Sequence, residues 1–355
     1  MNGKAESLWC PIPATIHPRW EQFERDTIGW AAEMRLGEAR PSLETLERIG
    51  AGELAGRVIA RSQSAEAIQL YADTLLWLFA FDDRYCDAGA YRADPLAMAI
   101  LVAEATRVIE TGRVSSTDRC LAALADLRRR FRELASPAQF TRWASAFRGY
   151  LGYQVWEAAF RAADALPSLE QYLVARIRSG SVELCVMALD IAGGYEVPEA
   201  DLQRPDVAAM VEAVCLLIGL DNDLLSYSKE HRGTGDVVNI VDVVSGHDKV
   251  ADPQAAWQIS LSVRDRIMDL FLRSREHVGP SVSAPTRRFI DDMSNWVRGN
   301  LDWSLSSARY GVGAVSITDQ RPFVAADPLP GVASWWEVLP CTQTTTPRTS
   351  PTGSA

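Results

Sequence analysis

From Trp20 to about residue 310, apolar residues recur every three or four positions almost without a break, and this sustained helical period excludes most folds outright. Helical segments are predicted at about 19–36, 41–63, 65–87, 92–112, 117–134, 137–165, 168–179, 182–193, 206–231, 250–277 and 284–310. Period-two alternation is confined to Val237-Val238-Asn239-Ile240-Val241, whose apolar positions also suit a helical turn. The expected fold class is all-α, a single-domain α-helical bundle over 19–311, because no repeat and no linker-like stretch divides that span. Residues 1–18 carry Pro11, Pro13 and Pro18 and read as an extended segment. Residues 312–355 are rich in Pro, Thr and Ser and read as a disordered tail too polar to pack, with Trp335-Trp336 its candidates for docking on the body.

With 355 residues, 47% of them hydrophobic, the chain has ample material for a core. A net charge of −10, with no basic stripe interleaved with aromatics, argues against nucleic acid as a partner. Apolar runs such as Leu75-Leu76-Trp77-Leu78-Phe79-Ala80-Phe81 stop far short of the roughly 20 residues that a membrane span needs. The N-terminus lacks a basic-then-apolar leader, so a cytoplasmic protein is expected. Six cysteines and four histidines are scattered without a C-x-x-C, and metal chemistry would therefore have to use oxygen ligands.

Oxygen ligands do occur in a pattern. Asn222, Ser226 and Glu230 fall four residues apart, stepping about 40° around a helix and roughly 6 Å along it, so they form one stripe. An amide oxygen, a hydroxyl and a carboxylate suit Mg²⁺, which keeps water and takes few protein ligands plus phosphate oxygens. The stripe emerges directly from the all-apolar run Val214-Cys215-Leu216-Leu217-Ile218-Gly219-Leu220, which points to a cavity rather than to bulk water.

A second acidic motif closes the helix predicted at 65–87. Asp82, Asp83 and Asp87 repel one another and stay close only where solvent or a cation compensates. On an α-helix Asp83 and Asp87 are one turn apart, while Asp82 projects about 100° away, toward Leu78 and Phe79. Taken alone, a solvated helix end accounts for this motif equally well. Paired with the 222–230 stripe, it can face that stripe across a bundle and clamp a diphosphate through Mg²⁺.

With D-D-R-Y-C-D from 82 and N-D-L-L-S-Y-S-K-E from 222, the chain resembles the class I terpene synthases of bacteria, over roughly residues 9–311 and including the segment from Trp296 to Trp303. The resemblance implies three Mg²⁺ ions, with Asp82, Asp83, Asp87, Asn222, Ser226 and Glu230 as ligands. It implies that Arg176 senses diphosphate, that Ser179 and Gly180 are the linker and effector positions where a helix breaks, and that Lys229, Arg309 and Tyr310 bind diphosphate. Gly180 suits a helix break because its φ is free. Trp77, Leu78, Phe79, Trp156 and Trp303 are candidate walls of an apolar pocket, although aromatics at helical spacing serve equally as plain core.

The function this implies is Mg²⁺-dependent ionisation of a linear prenyl diphosphate, farnesyl or geranylgeranyl. Cyclisation of the carbocation to a sesquiterpene or diterpene follows, with diphosphate released by a carbon–oxygen lyase. The implied partner is that small molecule, and the resemblance leaves room for a homodimer. One alternative is a chain-elongating prenyl diphosphate synthase, whose second aspartate motif would have to be Asp291-Asp292-Met293-Ser294-Asn295. Another is a non-catalytic helical interaction protein.

Overall fold

The computed structural model describes residues 6–38, 40–87, 89–233, 238–247, 252–310, 315–325 and 327–338, with the side chains of 228–233, 247 and 336 left out. After strand β1 (Glu6–Trp9) come helices α1 (Trp20–Glu33), α2 (Leu43–Glu47), α3 (Ala51–Val58), α4 (Ala65–Phe81), α5 (Pro95–Thr111), α6 (Arg119–Leu134) and α7 (Pro137–Ala162). They continue with α8 (Leu169–Ser179), α9 (Val182–Val186), α10 (Leu189–Gly193), α11 (Glu199–Leu202), α12 (Pro205–Gly233), α13 (Ile240–His247), α14 (Pro253–Val278) and α15 (Ala284–Ser306). Strand β2 (Val315–Thr318) and a short α16 (Ser334–Glu337) follow.

Local chemistry sets the starts. The Ser64 side chain accepts from the Ala67 amide to open α4, and Ser136 and Ser168 form reciprocal capping boxes with Gln139 and Gln171 at α7 and α8. Asp94 and Asp118 cap α5 and α6 in the same way. The predicted 41–63 helix is two helices, because Gly50 between α2 and α3 sits at φ +77° and reverses the chain. Of the apolar run at 237–241, Ile240 and Val241 open the helix Ile240–His247, Val238 and Asn239 precede it, and Val237 lies outside the described residues.

Packing closes a ring: α4 meets α3, α3 meets α15, α15 meets α12, and α12 meets α8. α8 meets α7, and α6 returns the ring from α7 to α4. α4 is apolar nearly all round and buried along most of its length, as a helix inside such a ring must be. Each fully buried Leu or Phe there stabilises the fold by about 1.5–3 kcal/mol.

Around the ring, α14 covers α12 and α13, and α5 covers α7. β1 and β2 pair in parallel, Glu6 opposite Val315, and tie the two ends of the chain together. The expectation of a tail too polar to pack is corrected here for 315–338. Leu329, Val332 and Trp335 are buried, and the Trp335 indole donates to Glu212 of α12 at 2.8 Å. Residues 339–355 lie outside the described residues. Among the described residues no helix is long and apolar enough to cross a membrane.

Candidate active site

A cavity of about 270 Å³ lies inside the ring. Its apolar lining includes Leu54, Leu75, Leu78, Phe79, Ile218 and Trp303. Its polar lining includes Asp82, Asp87, Asn222, Ser226, Arg176 and Arg309.

The chain after α4 does not continue as an α-helix. Asp82–Cys86 form one π turn, and the Asp87 amide donates to the Asp82 carbonyl at 2.9 Å. The extra residue in this turn brings position 87 back beneath position 82. Asp82 therefore does not diverge from Asp87 as α-helical spacing implies. One oxygen from each of Asp82, Asp83 and Asp87 lies within 4.8 Å of the others. Burial, then repulsion from Asp87, push the Asp82 carboxyl well above the usual range, against the pull of Arg309.

Across the cavity, α12 presents Asn222 and Ser226 from one face. Ser226 Oγ is buried and has no hydrogen-bond partner among the described residues. A buried hydroxyl left without a partner costs about 1–3 kcal/mol. A divalent cation meets that need, and it also relieves three mutually repelling carboxylates opposite. The residues present thus fit a hard divalent metal. The α12 backbone continues through 229 and 230, but the side chains of Lys229 and Glu230 lie outside the described residues.

Arg309 and Tyr310, just beyond α15, join the two motifs. Arg309 pairs with Asp83 at 2.9 Å and Asp82 at 3.4 Å, and its guanidinium lies 4.8 Å from the centre of the Phe79 ring. Burial would lower its affinity for the proton, but Asp83 and its neighbours more than reverse that and raise the pKa. The Tyr310 hydroxyl accepts from Asn222 at 2.7 Å.

Arg176 lies on α8 and donates to the Gly219 carbonyl, to Asn222 Oδ1 at 3.0 Å and to Asp223 Oδ1 at 2.6 Å. Asp223, held in turn by the Tyr172 hydroxyl, has its carboxyl pushed up by burial, with Arg176 opposing. α8 ends at Ser179, and Ser179, Gly180 and Ser181 all line the cavity. Gly180 has an ordinary φ of −78°, whereas Ser181 sits at φ +61°. The left-handed residue at the break is the serine, so the break does not use the free φ of a glycine at 180.

Leu78, Phe79 and Trp303 line the cavity. The Phe79 and Trp303 rings lie 5.3 Å apart, tilted by 32°, and the Trp303 indole is fixed by donating to the Ile49 carbonyl at 2.8 Å. Trp77 does not line it: the indole donates to the Cys120 carbonyl at 2.8 Å and packs between Phe81 and Phe147 in the core. Trp156 packs on Phe160 instead, outside the lining residues.

Asp291 pairs with Arg61 at the surface and Asp292 accepts from Tyr195 at 2.8 Å, and neither lines the cavity. Sequence reasoning missed Glu157 and Arg161, an i,i+4 pair on α7 at 3.1 Å that lines the cavity. It also missed Trp296 and Asn300 on α15. Such a pair has the spacing of any exposed helix pair, so nothing in the sequence set it apart.

A ring of helices around a cavity lined by apolar residues, oxygen ligands and arginines has the class I terpenoid synthase architecture. The description "Terpene synthase family 2, C-terminal metal binding" matches residues 73–269. The (+)-(1(10)E,4E,6S,7R)-germacradien-6-ol synthase of Streptomyces pratensis is 35% identical over 352 residues, covering 95% of this chain and 97% of that protein. The (+)-T-muurolol synthase of Streptomyces clavuligerus is 33% identical over 357 residues, covering 96% of this chain and 84% of that one. Among solved structures, the SVS_A2 protein from ancestral sequence reconstruction matches with a TM-score of 0.86 at 27% identity, over 94% of this chain and 99% of that one. The chain belongs to the terpene synthase family.

Proposed function

We propose that this chain ionises a linear prenyl diphosphate, farnesyl diphosphate in the first place, and cyclises the resulting carbocation with release of diphosphate. The observation that carries the reading is convergence. Asp82 and Asn222, 140 residues apart in sequence, line one cavity that leucines, Phe79 and Trp303 also line. The choice of farnesyl over geranylgeranyl diphosphate is supported by the similar Streptomyces clavuligerus protein, described as (2E,6E)-farnesyl diphosphate cyclizing.

Asp82, Asp83 and Asp87 would hold Mg²⁺ from one side and Asn222, Ser226 and Glu230 from the other, three ions in all. Bound Mg²⁺ acts as a Lewis acid that stabilises the departing diphosphate. Arg176, Arg309, Lys229 and Tyr310 then bind diphosphate oxygens. Arg309 pairs with Asp83 and Arg176 with Asp223, so diphosphate binding exchanges carboxylate partners for phosphate ones. Ser179 and Gly180, three and four residues beyond Arg176 at the end of its helix, would carry that exchange to the hydrocarbon.

Once the allylic C–O bond breaks, the walls govern the outcome. Leu54, Leu75 and Leu78 exclude water, and the faces of Phe79 and Trp303 stabilise positive charge without offering a lone pair. Incubation with the C10, C15, C20 and C25 diphosphates and Mg²⁺, followed by mass spectrometry of the extract, tests the reading. A cyclic C15 product from farnesyl diphosphate is expected. Pyrophosphate release from none of the four would overturn the activity, and a product from the C20 substrate alone would overturn the choice of chain length.

A further inference from the structure

Along the apolar wall contributed by α15, one polar group stands out. Asn300 is 4% exposed, lines the cavity, and its amide nitrogen has no hydrogen-bond partner among the described residues. Its neighbours on that wall are differently placed: Trp296 donates to the Tyr71 hydroxyl and Trp303 to the Ile49 carbonyl.

One turn further on, Ser304 is fully buried, and its hydroxyl likewise has no partner among the described residues. That is unusual for a buried helical serine here. Ser260, Ser274 and Ser294 each satisfy themselves by donating to the carbonyl four residues back, at 2.8, 2.7 and 2.8 Å. Asn300 is the one of the two that lines the cavity, and Ser304 lies one turn behind it in the wall; Asn295 also has an unpartnered amide nitrogen but neither lines the cavity nor lies three or four residues from Asn300.

Two buried polar groups without partners, four residues apart on one helix face, have Cβ atoms about 5–6 Å apart, the span that one bridging water fills. A hydrocarbon substrate offers them nothing. We propose that Asn300 and Ser304 hold a water molecule in the cavity wall, and that this water captures the cyclised cation, so that the product is a terpene alcohol. The water oxygen donates a lone pair to form the new C–O bond. The oxonium then passes a proton to an oxygen of the released diphosphate, and no oxidant or reductant is needed. Asn300 and Ser304 are positioning residues: they hold the nucleophile but are not needed for ionisation. The inference rests on the terpene synthase activity proposed above.

The test is turnover of farnesyl diphosphate in H₂¹⁸O by the wild-type chain and by Asn300→Leu and Ser304→Ala, reading labelled alcohol, hydrocarbon and pyrophosphate separately. The expected result is an ¹⁸O-labelled alcohol from the wild type. In both variants the alcohol fraction should fall about tenfold as lost water contacts slow capture, with hydrocarbon appearing instead and pyrophosphate still released. Wild-type pyrophosphate release with hydrocarbon alone would overturn this inference and leave the activity standing, whereas no release at all would overturn the activity. An unchanged alcohol fraction in either folded variant would also overturn it. So would loss of ionisation along with the alcohol, which would place the amide on diphosphate. If Asn300→Leu fails to fold, Ser304→Ala removes a single oxygen and carries the same comparison.

Discussion

Arg176 reaches three acceptors at once because Gly219 lets it. A Cβ at 219 would come within 3.1 Å of the arginine Cγ and Nε, so any larger residue there would push the stem aside by a few tenths of an ångström. A lysine of similar length keeps the charge but not the planar fork. Arg176→Lys is therefore expected to lose turnover nearly as fully as Arg176→Ala, by about 100-fold or more, as a lost charge-assisted contact in the transition state does. Steady-state pyrophosphate release measures it, and near-wild-type rates for the lysine variant would mean that the residue supplies only field.

Asp292 gives a prediction in pH. Burial pushes its carboxyl up to about 6, with the Tyr195 hydroxyl, Arg288 and Arg61 pulling the other way and Asp291 adding to the rise. A raised folded pKa means that the folded state favours the protonated form. The stabilisation is complete below the unfolded value of about 4 and is lost as pH rises through about 6. Asp292→Asn keeps an acceptor for Tyr195 and has no charge to bury. Urea melts should find it more stable than wild type at pH 8, by about 1–3 kcal/mol, with a smaller difference at pH 5. A difference independent of pH would contradict the assignment.

At the scale of elements, the break after α8 separates two positions that look alike in sequence. A Cβ on Gly180 would meet Arg176 Nη1 at an ordinary 3.5 Å, so Gly180→Ala should change stability by less than about 1 kcal/mol. Ser181 occupies the left-handed region, where a β-branched side chain is poorly tolerated, and Ser181→Val should cost about 1–2 kcal/mol. Thermal melts of the two variants distinguish them, and equal melting temperatures would place the strain elsewhere.

This break also marks what sequence could resolve. Helix positions and the Asn222/Ser226 stripe were legible because a 3.6-residue period fixes which side chains share a face. The π turn at Asp82 was not, since one extra residue in a turn leaves no mark on composition, and it moved Asp82 and Asp87 onto a common site. Trp77 and Phe79 are two residues apart on α4, but only the latter reaches the cavity. Choosing between them needs the positions of neighbours such as Cys120 and Trp303, which come from distant parts of the chain.

At the scale of the molecule, β1 and the segment after β2 brace α12 and α8. Fully buried Arg264 of α14 pairs with Asp221, the residue before Asn222, and also donates to the Trp9 carbonyl of β1. β1 in turn pairs with β2, and the segment after it lies on α8 and α12. Gly331, at φ +76°, packs so closely on Glu170 that an added Cβ would lie 3.0 Å from its carbonyl. Apart from Trp335 as a candidate for docking, none of this was legible, because the tail is polar on average; among its described residues Leu329, Val332 and Trp335 are buried. Deleting residues 312–355 exposes what those three cover. It should lower stability by about 2–4 kcal/mol, burial being partly offset by the entropy of ordering the tail, and an unchanged melt would contradict the brace.

The central claim is that the 82–87 and 222–230 motifs serve one ligand. Melting temperature with Mg²⁺ plus pyrophosphate tests it most directly, in wild type, Asp82→Ala and Ser226→Ala. At 100 times its Kd the ligand should stabilise the wild type by about 2.7 kcal/mol. The account predicts that either substitution alone removes most of that shift, while the unliganded melts stay close to wild type. A full shift surviving in both variants would contradict it.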